Sequence, residues 1–455
     1  MTKQRGIGLT LSALSLGTAL NPLNSSMIAV ALVVLRGDFD LSVATVTWVI
    51  TSFYLTSAAA QPLMGRLADR FGPKRLFIIG MAIVAVTCAL AGFSPNFLLV
   101  CIARVFMGIG TATAFPSAVA MVGELSRIAG VHSTKPLGYI QVANTAGAAI
   151  GPVVGGLLVS LVGWQALFFI NVPLALAALI SVQRLAPADD ARDHGTVGAA
   201  VRDSDIPGIA TFIAALVSLM LAALNPLPDL RWILLGVGIA AAALFTWREL
   251  RFSGPFLDVR LLAANRPLLT MYVCFAVFNG VYYCAFFGLP QLLQEAGGYG
   301  AGVVGLLMLP LAAISVFLTP AAVRSINRRG VKPVLVAGVI GLGVASALLW
   351  LLAASFAVPL VLALTAFLGI PYCVVSIASS QGMYASSRPE DTGVAAGIFQ
   401  TFRYIGAIGA TVMIGILYAP GVNAASWSTI VPVMVGLSVV ALVLAALWKG
   451  RSEVA

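Results

Sequence analysis

Apolar runs alternate with short polar links along the whole chain, from about residue 8 to residue 448. A helix needs about 20 apolar residues to cross a bilayer core. That ruler predicts spans at 8–35, 43–64, 76–94, 97–121, 137–162, 166–183, 207–226, 231–248, 267–289, 300–322, 332–354, 357–379, 392–417 and 428–448. The fold class is therefore an all-α membrane protein of fourteen helices. An even count puts both termini on one side of the membrane.

Charge orients the spans. With the N-terminus inside, 22 of the 26 basic residues fall on the cytoplasmic side. Arg36 and Arg231 fall outside, and Arg104 and Arg403 fall within spans. The positive-inside rule selects this arrangement. The chain is expected in the bacterial cytoplasmic membrane with both termini cytoplasmic.

Composition sharpens the class. Of 455 residues, 60% are hydrophobic and 9% charged, and the mean hydropathy is +1.01. A soluble chain carries about 25% charged residues. The net charge of +10 follows the membrane topology, so no nucleic-acid partner is implied. The cysteines Cys88, Cys101, Cys274, Cys284 and Cys373 lie in apolar runs and read as packing residues. His132 and His194 lie in polar loops, and no metal site or other cofactor is expected. The first apolar run is too long for the core of a signal peptide. No phosphate-binding G-x-x-x-x-G-K-[ST] loop is present, which argues against ATP drive. No set of nucleophiles, histidines and carboxylates suggests an enzyme.

The spans divide as six, two and six. Residues 1–184 form a first six-helix bundle, 185–265 polar linkers and an inserted two-helix hairpin, and 266–455 a second six-helix bundle. A shift of 258 residues lays Arg66 on Arg324, Arg70 on Arg328, Gly72 on Gly330, Lys74 on Lys332 and Asn21 on Asn279. A shift of 259 lays Gln141, Asn144 and Gly147 on Gln400, Arg403 and Gly406. Parallel repeats of this kind build transporters whose substrate path runs between the halves.

The densest charged link is Gly65-Arg66-Leu67-Ala68-Asp69-Arg70-Phe71-Gly72-Pro73-Lys74-Arg75, between spans 2 and 3. An ordinary cytoplasmic loop needs only Lys and Arg, not Asp69 and two glycines. In span 5, Gly147-Ala-Ala-Ile-Gly151-Pro152-Val-Val-Gly155-Gly156 bares one helix face for close approach by a neighbour. In span 4, Arg104-Val-Phe-Met-Gly108-Ile-Gly110 places a charge in the membrane. Gly163-Trp164 and Phe169-Ile-Asn171-Val-Pro173 flank the start of span 6.

Together these stretches resemble the major facilitator superfamily, in particular its fourteen-span drug:proton antiporter branch (EmrB/QacA-like). The resemblance covers the whole chain. It implies two six-helix bundles around a central cavity and alternating access. It also implies export of hydrophobic or amphipathic small molecules in exchange for protons. Gly65, Asp69, Arg70, Gly72, Lys74 and Arg75 would form the cytoplasmic gating motif. Gly147, Gly151, Pro152, Gly155 and Gly156 would form the antiporter motif. A lipid or metabolite exporter and an uncoupled facilitator are the alternatives. The expected partners are the substrate, protons and membrane lipids, and the expected state is a monomer.

One departure stands out. At the end of span 1 the branch shows L-D-x-T-x-x-N-V-A-L, whereas Leu23-Asn24-Ser25-Ser26 reads here. Asn24 stands where the acid would be, and none of the 16 acidic residues falls inside a predicted span. A cavity without a carboxylate would accept neutral or anionic molecules better than cations.

Polar and aromatic residues within spans supply the candidate cavity. Asn21, Asn24, Gln141 and Asn144 should avoid lipid, either lining the cavity or bonding between helices. Arg104 has two readings: a substrate contact, or a structural tie from span 4 to span 1. Arg403, beside Gln400, faces the interior by the same cost argument. Tyr272, Phe275, Asn279, Tyr282 and Phe286 form a stripe along span 9, as cavity lining or as core packing.

Overall fold

The computed structural model describes residues 2–129, 134–189, 205–224, 228–252, 260, 264–387 and 392–449. His132, His194 and most of the linker after span 6 lie outside them, as do the side chains of Asp69 and Gln141.

The described residues are helical throughout, with no strand. The first half comprises α1 (Thr2–Met27), α2 (Leu32–Asp38), α3 (Val43–Val46), α4 (Trp48–Phe71), α5 (Pro73–Ala91), α6 (Phe97–Ala129), α7 (Thr134–Leu161), α8 (Ala166–Phe169) and α9 (Asn171–Leu185). The hairpin is α10 (Ile206–Leu224) and α11 (Arg231–Glu249). The second half comprises α12 (Arg266–Glu295), α13 (Ala301–Arg329), α14 (Val331–Leu348), α15 (Val358–Ser386), α16 (Thr392–Leu417) and α17 (Ala424–Leu447).

Thirteen helices are long and apolar enough to cross a membrane, and a bent pair makes the fourteenth. That pair is span 1. The apolar run predicts one rod over 8–35, but the chain turns by 61° between Gly8–Val30 and Leu32–Asp38. A 3₁₀ turn at Ile28–Val30 makes the corner.

The halves repeat the same packing. In the first, α1 lies on α7 and α9, α6 on α4 and α5, and α5 on α9. In the second, α12 lies on α16 and α17, α15 on α13 and α14, and α14 on α17. The repeat reaches the backbone of the tight turns. Gly72 and Gly330 both adopt positive φ, 95° and 82°. Each donates its N–H to the carbonyl four residues back, Ala68 and Ile326. Glycine adopts this conformation without the penalty a Cβ brings.

Between the halves, α7 packs on α13 and α4 on α16. The hairpin rests on this seam, because α10 touches both α4 and α16. The outermost helix is α11, with 11% of its apolar window buried.

Candidate functional site

The basic turns and helix ends gather Lys74, Arg75, Arg184, Arg266, Arg328, Arg329 and Lys332 at one end of the bundle, here termed the basic end. The polar links between halves lie from mid-depth toward the opposite end. Nearest that end, Arg36 pairs with Glu295 at 2.7 Å, and Gln294 Nε2 donates to the Val30 carbonyl at 3.0 Å. Deeper, Thr51 and Thr411 hydroxyls meet at 3.0 Å. At mid-depth Thr401 donates to the Ala58 carbonyl at 3.4 Å.

The centre of the seam is a polar knot on Tyr404. Gln61 Nε2 donates to the Tyr404 hydroxyl at 3.0 Å, and that hydroxyl donates to Asn21 Oδ1 at 3.2 Å. Asn21 Nδ2 in turn donates to Thr111 Oγ1 at 3.0 Å. Arg403 Nη2 donates to the same phenol oxygen at 3.2 Å, and its guanidinium lies 4.9 Å from the Tyr404 ring centre. Arg403 Nε is buried with no hydrogen-bond partner. The phenols of Tyr54, Tyr283 and Tyr372 are within electrostatic reach of the guanidinium. Thus α1, α4, α6, α12, α15 and α16 converge on one cationic, phenol-rich point.

The span 9 stripe wraps this point on the α12 side. Tyr282 stacks on Tyr372 of α15, with centroids 3.9 Å apart and planes at 18°. Phe275 stacks on Phe399 of α16 at 3.8 Å and 10°. Tyr272 donates to the Ala395 carbonyl at 3.0 Å. Asn279 is 2% exposed and donates to the Phe275 carbonyl one turn back at 2.7 Å. Phe286 lies 5.4 Å from Tyr282, centre to centre. Tyr272 and Phe275 thus bind α12 to α16, while Tyr282 continues toward Tyr283 and Tyr54.

Two candidates lie apart from the knot. Asn24 pairs with Asn171 of α9, and both of its N–H donors are engaged there and at the Leu20 carbonyl. Arg104 is 1% exposed and donates through Nε to the Val49 carbonyl at 2.9 Å. Its guanidinium stacks over Phe53 at 4.3 Å. The expected structural tie from span 4 to span 1 is corrected: these contacts tie α6 to α4. Asn144 Oδ1, on α7, is buried with no hydrogen-bond partner, and Gln400 is half-buried.

The glycine-rich face of α7 serves two neighbours. A Cβ on Gly147 would stand 3.1 Å from the Ala19 carbonyl oxygen, and one on Gly155 would stand 2.7 Å from that of Met27. Gly151 faces Ser26 in the same row, so these three glycines seat α7 on α1. Gly156 faces the other half, where a Cβ would lie 2.5 Å from the Ala301 oxygen and 3.2 Å from Gly305 Cα. Gly305 in turn abuts the Pro152 carbonyl. One helix carries both an intra-half and an inter-half contact.

The charged turn is held from an unexpected direction. The Asp189 carboxylate accepts the backbone N–H groups of Lys74 at 2.9 Å and Arg75 at 3.0 Å, so it sits on the N-terminus of α5. Lys74 Nζ donates to the Ala186 carbonyl at 2.7 Å. The turn is therefore fastened to the chain leaving α9. Gly72 lies against the same carboxylate, and Gly65 has open space on its Cα.

A family model described as Major Facilitator Superfamily matches residues 14–411. The chain belongs to the Major Facilitator Superfamily. It is 34% identical over 442 residues to the uncharacterized MFS-type transporter YwoD of Bacillus subtilis, covering 96% of this chain and 95% of that one. It is 29% identical to the tetracenomycin C resistance and export protein of Streptomyces glaucescens, covering 91% and 76%. To the multidrug efflux pump LfrA of Mycolicibacterium smegmatis it is also 29% identical, covering 90% and 80%. The crystal structure of the nucleoside transporter NupG superimposes with a TM-score of 0.64 at 15% identity, over 99% of both chains, which supports the fold. This superfamily member is a multi-pass membrane transporter and not an enzyme.

Several residues of this transporter's seam escape sequence reasoning. Gln61, Tyr54, Thr111 and Tyr404 look like ordinary span residues, and only the meeting of α1, α4, α6 and α16 brings them together. Asp189 reads as one acid of a polar linker. Asn171 is visible as part of the approach to span 6, but its partner is not.

Proposed function

We propose that this transporter exports small hydrophobic or amphipathic molecules, neutral or anionic, by alternating access. The observation that carries the reading is Arg403. Its guanidinium stands at the centre of the seam among phenols, with Nε buried and unpaired. A cation in that setting invites an electronegative or anionic group, and the surrounding rings offer stacking to an apolar body. Relatives that export tetracenomycin C or several drugs support the small-molecule class.

The positive-inside rule supports an orientation with the basic end and both termini in the cytoplasm, in a bacterial cytoplasmic membrane. The links at the opposite end then describe a state closed to the outside. Rocking of the first half (1–184) against the second (266–455), with 185–265 between them, would open that end and close the basic end. Gly65, Asp69, Arg70, Gly72, Lys74 and Arg75 would latch the cytoplasmic faces as they meet. The substrate cavity would use Arg403, Asn21, Gln400, Asn144, Gln141, Tyr282 and the nearer part of the stripe. The family resemblance supports protons as the exchanged ion. Export of a lipid or metabolite is the alternative reading within the same cavity.

The test is efflux of neutral, anionic and cationic dyes from cells expressing the protein, with and without a protonophore. The expected result is protonophore-sensitive efflux of neutral and anionic dyes. Arg403→Gln should lower anionic efflux about tenfold at unchanged membrane expression, about 1.4 kcal/mol of lost interaction. Equal export of lipophilic cations by both proteins would overturn the reading.

A further inference from the structure

The two halves repeat their packing but not their filling. Where α4, α5 and α6 meet toward the basic end, Ala60, Met64, Ala68, Leu76 and Ala112 form a buried apolar cluster, with Leu67 packed against it. The 258-residue shift carries this place onto α13, α14 and α15. There Met64 becomes Ala322, Leu67 becomes Ser325 and Phe71 becomes Arg329. The smaller side chains leave a cavity of about 270 Å³. Leu318, Ala322, Ser325 and Arg329 line it along one face of α13, with Val334 of α14 and Ile370 of α15 opposite.

The groove faces away from the seam. Gly305 seats α13 on α7, and Leu318 lies about 140° from Gly305 around the helix. Phe317, beside Leu318, is 82% exposed, as a lipid-facing side chain is. From Leu318 to Arg329 the lining runs about 16 Å along α13. That is the depth of one leaflet, half of a hydrocarbon core of about 30 Å. The volume falls below the roughly 300–1,000 Å³ of a site for a whole drug-sized ligand. The mouth is cationic: Arg328, Arg329 and Lys332 are exposed there, with Arg324 about one turn deeper. None of α13, α14 and α15 carries an acid, and Asn327 stands where the first half has Asp69. Among the described residues, none of these four cations pairs with an acid. The first-half turn, by contrast, already holds the Asp189 carboxylate.

We propose that this groove holds one acyl chain of an anionic phospholipid from the leaflet at the basic end, with the lipid phosphate between Arg329 and Lys332. An acyl chain needs no polar partner, and beyond Ser325 the lining offers it only apolar surface. The Arg329 fork suits phosphate oxygens, and Lys332 adds a second charge. Basic pockets between membrane helices select anionic headgroups in this way. The small side chains at 322 and 325 make the space, and the change from Phe71 to Arg329 supplies the charge. Because α13 also carries the contact of Gly305 with α7, the lipid rests on a helix that joins the two halves. The site depends on the chain crossing a membrane and not on which compound it exports.

The test is photolabelling of the purified full-length protein by phosphatidylglycerol with a diazirine in its acyl chain, the labelled peptides being mapped by mass spectrometry. Unlabelled phosphatidylglycerol, phosphatidylethanolamine or glycerol 3-phosphate is added in competition. The wild type should be labelled on α13 and α15 around Ala322 and Ile370. Phosphatidylglycerol should displace that label at a concentration at least about fivefold lower than phosphatidylethanolamine, and glycerol 3-phosphate should not displace it. Arg329→Gln, at an exposed position, should lose about fivefold in phosphatidylglycerol affinity with phosphatidylethanolamine unchanged. Ala322→Met with Ser325→Leu, the residues the first half uses at this place, should fill the groove and remove label here while label elsewhere stays. Equal displacement by the two lipids would overturn the proposal and leave an ordinary lipid-facing surface. Unchanged affinity in Arg329→Gln, or unchanged label in the filled variant, would also overturn it. Displacement by glycerol 3-phosphate would make this a site for soluble phosphates instead. Should the filled variant fail to fold, Arg329→Gln alone decides.

Discussion

Asn24 and Asn171 hold each other by a reciprocal pair of amide hydrogen bonds, 2.7 Å in each direction. Each sends its second N–H to the carbonyl one turn back, Leu20 at 2.8 Å and Leu167 at 2.7 Å. Both are buried, at 3% and 0% exposure. Only an amide can donate and accept in this way, since an ionised carboxylate has no donor. The asparagine at 24 is therefore matched to the asparagine at 171, and together they fasten α1 to α9.

Asn24→Asp tests that match. An ionised carboxylate in place of the amide would lose both donated bonds and set its oxygens against Asn171 Oδ1. The expected loss is about 1–3 kcal/mol of stability, read as a lower midpoint of thermal unfolding in detergent. An unchanged midpoint would mean that the pair holds nothing. Asn24→Asp should leave the protonophore sensitivity of efflux unchanged, because the side chain faces α9 rather than the seam.

The Asp189 contact to α5 is a helix cap made across 114 and 115 residues of sequence. Removing a cap costs about 0.5–2 kcal/mol. Asp189→Ala should therefore lower stability by about 1 kcal/mol. Asp189→Asn should recover part of the loss, because an amide oxygen still accepts but the charge facing the helix dipole is gone. Denaturation midpoints of the three proteins decide it, and equal values would remove the cap from consideration.

What the sequence made legible, and what it hid, divides along physical lines. Membrane helices follow from run length, so the fourteen spans could be read directly. The repeat is visible because Gly72 and Gly330 must both adopt positive φ, a constraint that keeps glycine in place. The bend of span 1 is not visible: no glycine or proline marks Ile28–Val30, and the nearest proline is Pro22. The seam is half visible. Arg403 and Asn21 announce themselves by the cost of placing them in a membrane. Gln61, Tyr404 and Thr111 acquire meaning only when α1, α4, α6 and α16 meet.

Asp69 lies in the charged turn, and we place it in the gating motif. Asp69→Asn should slow transport with little change in apparent substrate affinity, because a gating residue would act on the rate of alternation rather than on the cavity. Efflux rates measured across substrate concentrations separate the two effects. Unchanged rates would sink the gating role.

Gly156 meets Ala301 and Gly305 where the halves touch, and Gly302 faces Ser160 nearby. Gly156→Val would drive a branched side chain into the backbone of α13, so this contact could form only with the helices apart. Opening toward the opposite end should follow. A cysteine in place of Val30, which is buried where the corner of span 1 meets the second half, should then react at least about fivefold faster with a membrane-impermeant thiol reagent, the equivalent of about 1 kcal/mol in the conformational equilibrium. Equal labelling with and without the Gly156→Val change would show that the glycine face is not what lets this end close.

Arg36 and Glu295 form an ion pair at the mouth of the seam, joining the end of bent span 1 to the end of α12. Their side chains keep 24% and 19% exposure, so water and salt screen the attraction. A pair of this kind contributes about 0.2–1 kcal/mol. That is small for stability but large enough for a balance between two conformations, because the pair bridges halves that would separate in the proposed cycle. Glu295→Gln should thus raise labelling of a cysteine at the buried position 30 up to about fivefold at low ionic strength, and high salt should produce the same rise in the protein with the ion pair intact. The exchanged pair, Arg36→Glu with Glu295→Arg, should restore slow labelling. The restoration separates a charge effect from a packing effect, because the exchange keeps both charges but reverses their positions. If the exchanged protein labels as fast as Glu295→Gln, the neighbouring bond from Gln294 to the Val30 carbonyl and the packing of α7 on α13 close this end without help from the ion pair.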